Sequence, residues 1–178
     1  TDVLTMTEHS DKPLGALHLL YTGVQNNVSN SLVLMADRLG FSLTLATPEP
    51  EETQESFDAD LQAMIMDNPS IKRVEDPRDA IASADFIYTD TWIDMQYFND
   101  PAKHAEKTAL VAQMQRFQIN SDLVADHELK IMHDMPVHND YEITEAAVRD
   151  PRSIIFDQAA NRLHAQKGLL YWLLVANT

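Results

Sequence analysis

Ile131-Met132-His133-Asp134-Met135-Pro136-Val137-His138 is the stretch on which the reading of this chain turns. Leu129, Ile131 and Met132 make a short apolar run of the kind that forms a buried strand. Pro136 must end it, because proline has no N–H to give to a sheet ladder. His133 and Asp134 therefore fall at the carboxyl end of a strand, where open α/β sheets place their ligand sites. An imidazole beside a carboxylate suits proton chemistry there, and equally suits a histidine satisfied by backbone.

Outward from this stretch, strands and helices alternate. Val3 to His9 reads as a short helical lead-in, and Ala16 to Tyr21 as a buried strand followed by a turn over Thr22 to Asn27. Val28, Leu32, Met35, Ala36 and Leu39 recur at helical spacing, and Gly40 closes that helix as a C-cap glycine. Phe41 to Ala46 is a second strand. Phe57, Leu61, Met64 and Ile65 mark a second helix, and Ile71 to Val74 a third strand. Asp76-Pro77 opens a short third helix with proline in its favoured first turn. Asp85 to Thr89 is a fourth strand, after which Asp90 to Pro101 is irregular. A helix carries Ala105, Ala109 and Ala112. Leu129 to Met132 is the fifth strand, Thr144 to Arg149 is helical, Ser153 to Phe156 is a brief sixth strand, and Asn161 to Val175 is a final helix. The expectation is one α/β domain over residues 1–178, doubly wound, with a mainly parallel sheet of five to six strands and helices on both faces.

The end of the final helix breaks the usual pattern. Gly168-Leu169-Leu170-Tyr171-Trp172-Leu173-Leu174-Val175 is apolar nearly all round, whereas a surface helix shows one apolar stripe. It should be covered on more than one side.

Composition narrows the function classes. Twenty-eight acids against 13 bases give a formal net charge of −15, which disfavours nucleic acid and anionic membranes as partners. It favours cationic small molecules or a basic partner surface. The acidic run Glu49, Glu51, Glu52, Glu55, Asp58 and Asp60 needs no function beyond a solvated helix start. No segment reaches the roughly 18 consecutive apolar residues of a membrane span, and Thr1 to Ser10 carries no targeting pattern. Cysteine is absent, so neither disulfides nor thiolate metal sites arise, and the cytoplasm is the expected compartment.

Several chemistries fall away on spacing. Gly23 alone stands where a dinucleotide fingerprint wants three glycines, and the second strand ends in Ala46-Thr47 without the acid that would hold a ribose. There is no nucleophile elbow. His133 and His138 straddle a proline-broken loop and do not share a helical face as a zinc pair would, so no metal and no cofactor is expected. What remains are polar groups after strands: Asn26 and Asn27; Asp90, Thr91, Trp92 and Asp94; His133 and Asp134; Asp157, Gln158, Asn161 and Arg162. In a parallel sheet they converge on one edge and outline a site for a polar molecule.

These residues resemble a known family. Asn26-Asn27-Val28-Ser29-Asn30-Ser31-Leu32, Asp90-Thr91-Trp92, His133-x-Met135-Pro136, Glu142-Ile143-Thr144 and Phe156-Asp157-Gln158-Ala159-x-Asn161-Arg162 occur in the order found in ornithine carbamoyltransferases, within the aspartate/ornithine superfamily. Asp2-x-Leu4-Thr5-Met6-x-Glu8-His9 and Gln118-Ile119-Asn120 are softer matches. The chain is similar to the C-terminal, acceptor-binding domain nearly end to end. The resemblance implies a Rossmann-like three-layer sandwich. It implies transfer of the carbamoyl group of carbamoyl phosphate to an amine, ornithine to citrulline in arginine metabolism, without a metal. By position, Asn27 and Asp90 would hold the acceptor, with Asp94 and Met95 in the loop that closes over it. His133 and Arg162 would bind and polarise the carbamoyl group. The backbone at Asp134, Met135 and Pro136 would accept from its NH₂. A homo-oligomer built on trimers is also implied.

Departures from the family pattern matter here. Asp134 replaces the cysteine of His-Cys-Leu-Pro, and Asp94-Met95-Gln96 replaces Ser-Met-Gly. The phosphate-binding Ser-x-Arg-Thr segment and the His-Pro-Thr-Gln motif belong to an N-terminal carbamoyl-phosphate domain absent from this sequence. If Asp94 and Asp134 face the same pocket as Asp90, three carboxylates surround one amine and the empty site holds a proton. A less anionic acceptor, such as a diamine, is then the alternative to ornithine. A non-catalytic binding or regulatory domain of the same descent is the other alternative.

Overall fold

The computed structural model describes residues 1–50, 52, 57–93 and 101–176. Asp94 and Met95 lie outside the described residues. The strands are short, β1 His18–Thr22, β2 Ser42–Ala46, β3 Ile71–Val74, β4 Phe86–Thr89 and β5 Lys130–His133. They pair in parallel in the order β3-β2-β1-β4-β5, with Leu19 opposite both Leu43 and Phe86 and with Thr89 opposite His133. The order reverses between β1 and β4, and such a switch point leaves a crevice at the carboxyl edge of the sheet.

Side-chain alternation along the strands divides the core into two layers. Leu20, Ile87 and Ile131 face one layer with Phe117, Ile119, Val124 and Ile143. Leu19, Tyr21, Leu43, Leu45, Phe86, Tyr88 and Met132 face the other, under Leu32, Val33 and Ala36 of helix α2 (Asn27–Leu39) and Leu61 and Ile65 of α3 (Ala59–Asp67). Both faces are therefore covered, as a parallel sheet requires. Gly40 ends α2 at φ 78°, in the left-handed region where a side chain is disfavoured.

The remaining helices are α1 (Asp2–Glu8), α4 (His104–Met114), α5 (Ser121–Val124), α6 (Glu145–Val148) and α7 (Ile155–Tyr171), the last widening into a π-type turn over Trp172–Ala176. Two 3-10 turns, Pro77–Asp79 and Ile81–Ser83, stand where a third α-helix is expected after Asp76. Five strands form. Ser153 makes only an isolated bridge to Ile131, and α7 starts at Ile155, six residues ahead of the expected start. The Asp150-Pro151-Arg152 turn is fastened by Arg152 to Asp150 and to the Val124 and His127 carbonyls, which leaves two residues before the helix and no room for a sixth strand.

Helix α7 buries Ile155, Gln158 and Asn161 and then runs outward. From Leu169 to Val175 its side chains are 49% to 70% exposed. Among the described residues, no helix is long and apolar enough to cross a membrane, and no group of three His, Asp or Glu could hold a metal ion.

Candidate functional site

Asn26 joins the first turn of α2 to the end of β4. Its Oδ1 accepts from the Val28 and Ser29 amides, capping the helix. Its Nδ2 donates to Asp90 Oδ2 at 2.6 Å. The Thr91 amide donates to the other oxygen, Asp90 Oδ1, also at 2.6 Å. The switch point thus carries a carboxylate with both oxygens held. Trp92 folds back over Gly23, where an added Cβ would sit 2.9 Å from the indole Nε1, at φ +130°. A side chain at residue 23 would displace that ring.

Asp134 follows β5 and turns toward Asp90, with which it shares a side-chain hydrogen bond. Burial, the Asp90 charge and that hydrogen bond raise its pKa to about 8, with Asp2 adding to the shift. At neutral pH it holds a proton. Asp2, Asn27, Tyr88, Asp134, Met135 and Arg162 line one cavity of about 380 Å³ beside the pair.

His133 lies elsewhere. Its side chain is 0% exposed. Nδ1 accepts from the Met135 amide at 2.9 Å, so in the neutral ring the proton is on Nε2, which faces Glu142 Oε1 at 3.2 Å. Glu142 Oε1 also accepts from the His138 amide at 2.6 Å. The His133 ring therefore shapes the loop through Met135 and is not presented to the cavity. Replacing Glu142 with alanine strips a buried histidine of its acceptor. The expected cost is about 2–4 kcal/mol of stability, read by denaturant unfolding, with a change in the His133 ¹⁵N tautomer signature. An unchanged midpoint would refute that role.

Of the residues singled out in the sequence, Asn27, Asp134, Met135 and Arg162 line the cavity together and Asp90 lies against it. Pro136 follows and is exposed. Asp157 is not among the cavity's lining residues and pairs with His9 at 3.2 Å. Gln158 connects the elements: its Oε1 accepts from the His133 amide and its Nε2 donates to Asp2. Asn161 donates to Thr5 and Glu8. Tyr88 went unnoticed in the sequence, and its signal was a phenol inside an apolar strand, which needs a partner for its hydroxyl.

A parallel sheet with a polar cavity at its switch point and no nucleotide-binding glycines is the architecture of a small-molecule-binding α/β domain. Residues 16–173 match the family described as "Aspartate/ornithine carbamoyltransferase, Asp/Orn binding domain", and the chain belongs to that family. It is 36% identical over 172 residues to the ornithine carbamoyltransferase of Bacillus cereus, covering 95% of this chain and 52% of that protein. It is 37% identical over 176 residues to that of Methanococcus maripaludis, covering 97% and 56%. The crystal structure of the Thermus thermophilus ornithine carbamoyltransferase superposes with a TM-score of 0.76 at 32% identity, covering 97% of this chain and 53% of that one. The Pyrococcus furiosus enzyme gives 0.77 at 32% identity, covering 96% and 53%. The chain spans about half the length of the relatives it matches.

Proposed function

We propose that this chain is the acceptor-binding half of a carbamoyltransferase, completed by a carbamoyl-phosphate-binding half. The observation that carries the reading is the one cavity shared by Asn27, Asp134 and Arg162 above the capped Asp90. The amine nitrogen gives its lone pair to the carbamoyl carbon, the bond from that carbon to the phosphate oxygen breaks, and phosphate leaves with the electron pair and takes up the proton that the nitrogen loses. Arg162 donates to the carbamoyl oxygen, where negative charge develops. The backbone carbonyls after His133 accept from the carbamoyl NH₂. Holding two small molecules together supplies much of the remaining acceleration. His133 serves by fixing the Met135 amide.

Ornithine is the acceptor on the strength of the relatives, with citrulline as product in arginine metabolism, in the cytoplasm and in a trimer-based assembly. A non-catalytic domain of the same descent is favoured by one feature, the second carboxyl at Asp134 where the family places a thiol. The test is ureido-product formation by the complete polypeptide from carbamoyl phosphate and ornithine or a diamine. Turnover supports the enzyme; tight binding of an amine with no ureido product supports the other reading.

The end of α7 belongs to the same proposal. Its exposed apolar side chains suit a covering domain. The chain alone is expected to self-associate, with Trp172 in a wet environment. In a Trp92→Phe background, a clean monomer in sedimentation with blue-shifted, quencher-resistant emission would count against this.

A further inference from the structure

The crossover from β3 to β4 leaves part of the sheet without a roof. Helices α2 and α3 cover one face of β1, β2 and β3. On the other face the crossover consists of the two 3-10 turns Pro77–Asp79 and Ile81–Ser83. Turns that short cover less of a sheet than a full crossover helix does. A groove of about 500 Å³ opens between them and the strands. It shares no lining residue with the cavity at the switch point.

The strand residues in this groove are polar, whereas a covered parallel sheet is apolar. Leu20, Thr44 and Lys72 are register partners across β1, β2 and β3, and His18 partners Ser42. Thr44 is 4% exposed. The His18 ring beside it is fixed: Nδ1 donates to the Ser83 carbonyl at 3.0 Å, and in the neutral ring Nε2 accepts from the Thr44 hydroxyl at 2.8 Å. Lys72 comes from the strand side and Asp79 from the turn side. Among the described residues neither makes an ion pair, with the other or with a third group, and the Ser42 and Ser70 hydroxyls have no partner.

We propose that this groove is a second small-molecule site, one that binds a small zwitterion, either a free amino acid with a short side chain or a dipeptide. Its ammonium group donates to Asp79. Its carboxylate accepts from the Lys72 ammonium and from the Ser42 and Ser70 hydroxyls. Val74 and Ala80, on the same walls, meet the apolar side chain. Charge selects this class. A zwitterion brings no net charge to a chain of formal charge −15, whereas a phosphate dianion would meet that field and Asp79 with one lysine facing it. A diamine would set its second ammonium against Lys72. The volume falls in the usual range for small-molecule sites, about 300–1,000 Å³. The site stands independently of the carbamoyl-transfer reading.

The experiment is ligand-observed saturation-transfer NMR on the complete polypeptide at pH 7. The probes are L-valine and L-alanyl-L-valine, and the tighter of the two identifies the source of the zwitterion. Valinamide, N-acetylvaline and inorganic phosphate carry the cation alone, the anion alone and a dianion. At least one zwitterion should bind saturably with a Kd of about 1 mM or below, and the three other compounds should bind tenfold or more weakly. Lys72→Met and Asp79→Asn change exposed side chains, so the fold should persist, checked by an unchanged thermal midpoint. Each should weaken the zwitterion tenfold or more. Loss of affinity for N-acetylvaline only in Lys72→Met, and for valinamide only in Asp79→Asn, would assign each charge to its partner. No saturable binding of either zwitterion, binding by valinamide, N-acetylvaline or phosphate as tight as theirs, or unaltered affinity in either variant overturns the proposal.

Discussion

The purified 178-residue chain, given carbamoyl phosphate and ornithine or a diamine, is expected to form no ureido product above background. Carbamoyl transfer expels a phosphate dianion, and the charge growing on it needs several cations or N–H donors aimed at its oxygens. Among the described residues lining the cavity, Arg162 is the sole cationic side chain, and the Asp2 carboxylate stands against it. The formal charge of −15 deepens the mismatch. A single missing donor in such a site costs about 10²–10³ in rate, and here a whole phosphate cradle is needed. Mixing the chain with a separately folded carbamoyl-phosphate-binding half should restore turnover. Steady-state activity of the chain by itself, within tenfold of a two-domain enzyme, would refute both the charge argument and the domain division.

Stability should fall as pH rises from about 4 to about 8, and Asp134 should be responsible. Its ordinary pKa of 3.8 is raised to about 8 by burial and by Asp90. Between those values the folded chain binds a proton that the unfolded chain has lost, so raising the pH draws the equilibrium toward unfolding. Below pH 4 both states are protonated and the penalty vanishes. At about 1.4 kcal/mol per pKa unit, reduced because the side chain keeps 30% of its exposure, the penalty at pH 8 is about 2–4 kcal/mol. Asp134→Asn removes the titration and keeps a donor for Asp90. Its thermal midpoint should exceed the parent's at pH 8 and converge with it at pH 4. Parallel midpoint curves for the two proteins would rule out Asp134 as the source.

Much of the architecture was written in local chemistry. Apolar runs bounded by Gly40, Pro48, Pro69 and Pro136 placed the five strands, because breakers act within a residue or two. The sixth strand failed for a reason outside its own residues: Ser153 to Phe156 has strand-like composition, but Arg152 is pinned by Asp150, Val124 and His127, and two of those partners lie more than twenty residues away. The site divides in the same way. Asn26, Asn27, Asp90 and Asp134 were legible as polar residues after strands. The sealing of His133 was not, because Glu142 is nine residues on and fully buried. Tyr88 looked like core, since burial and cavity lining leave the same apolar surroundings in sequence. The raised pKa of Asp134 was foreseen from crowding by Asp90, whereas burial, its larger cause, was not. Asp94, the third member of that expectation, lies outside the described residues, and Asp2 stands near the pair in addition.

The bonds between the two ends of the chain also set a schedule. Gln158 to Asp2, Asn161 to Thr5 and Asn161 to Glu8 span 156, 156 and 153 residues. Contacts of that reach form late, after the intervening loops have been closed by other means. At a synthesis rate of about 5–20 residues per second, α1 waits on the order of ten to thirty seconds for its partner to be made. During that interval the Thr5 hydroxyl and the Glu8 carboxylate have no Asn161 to donate to them, and the Asp2 carboxylate has no Gln158 to hold it near the carboxyl pair. Helix α1 is therefore fastened late, and the cavity wall it contributes is complete only when α7 has arrived.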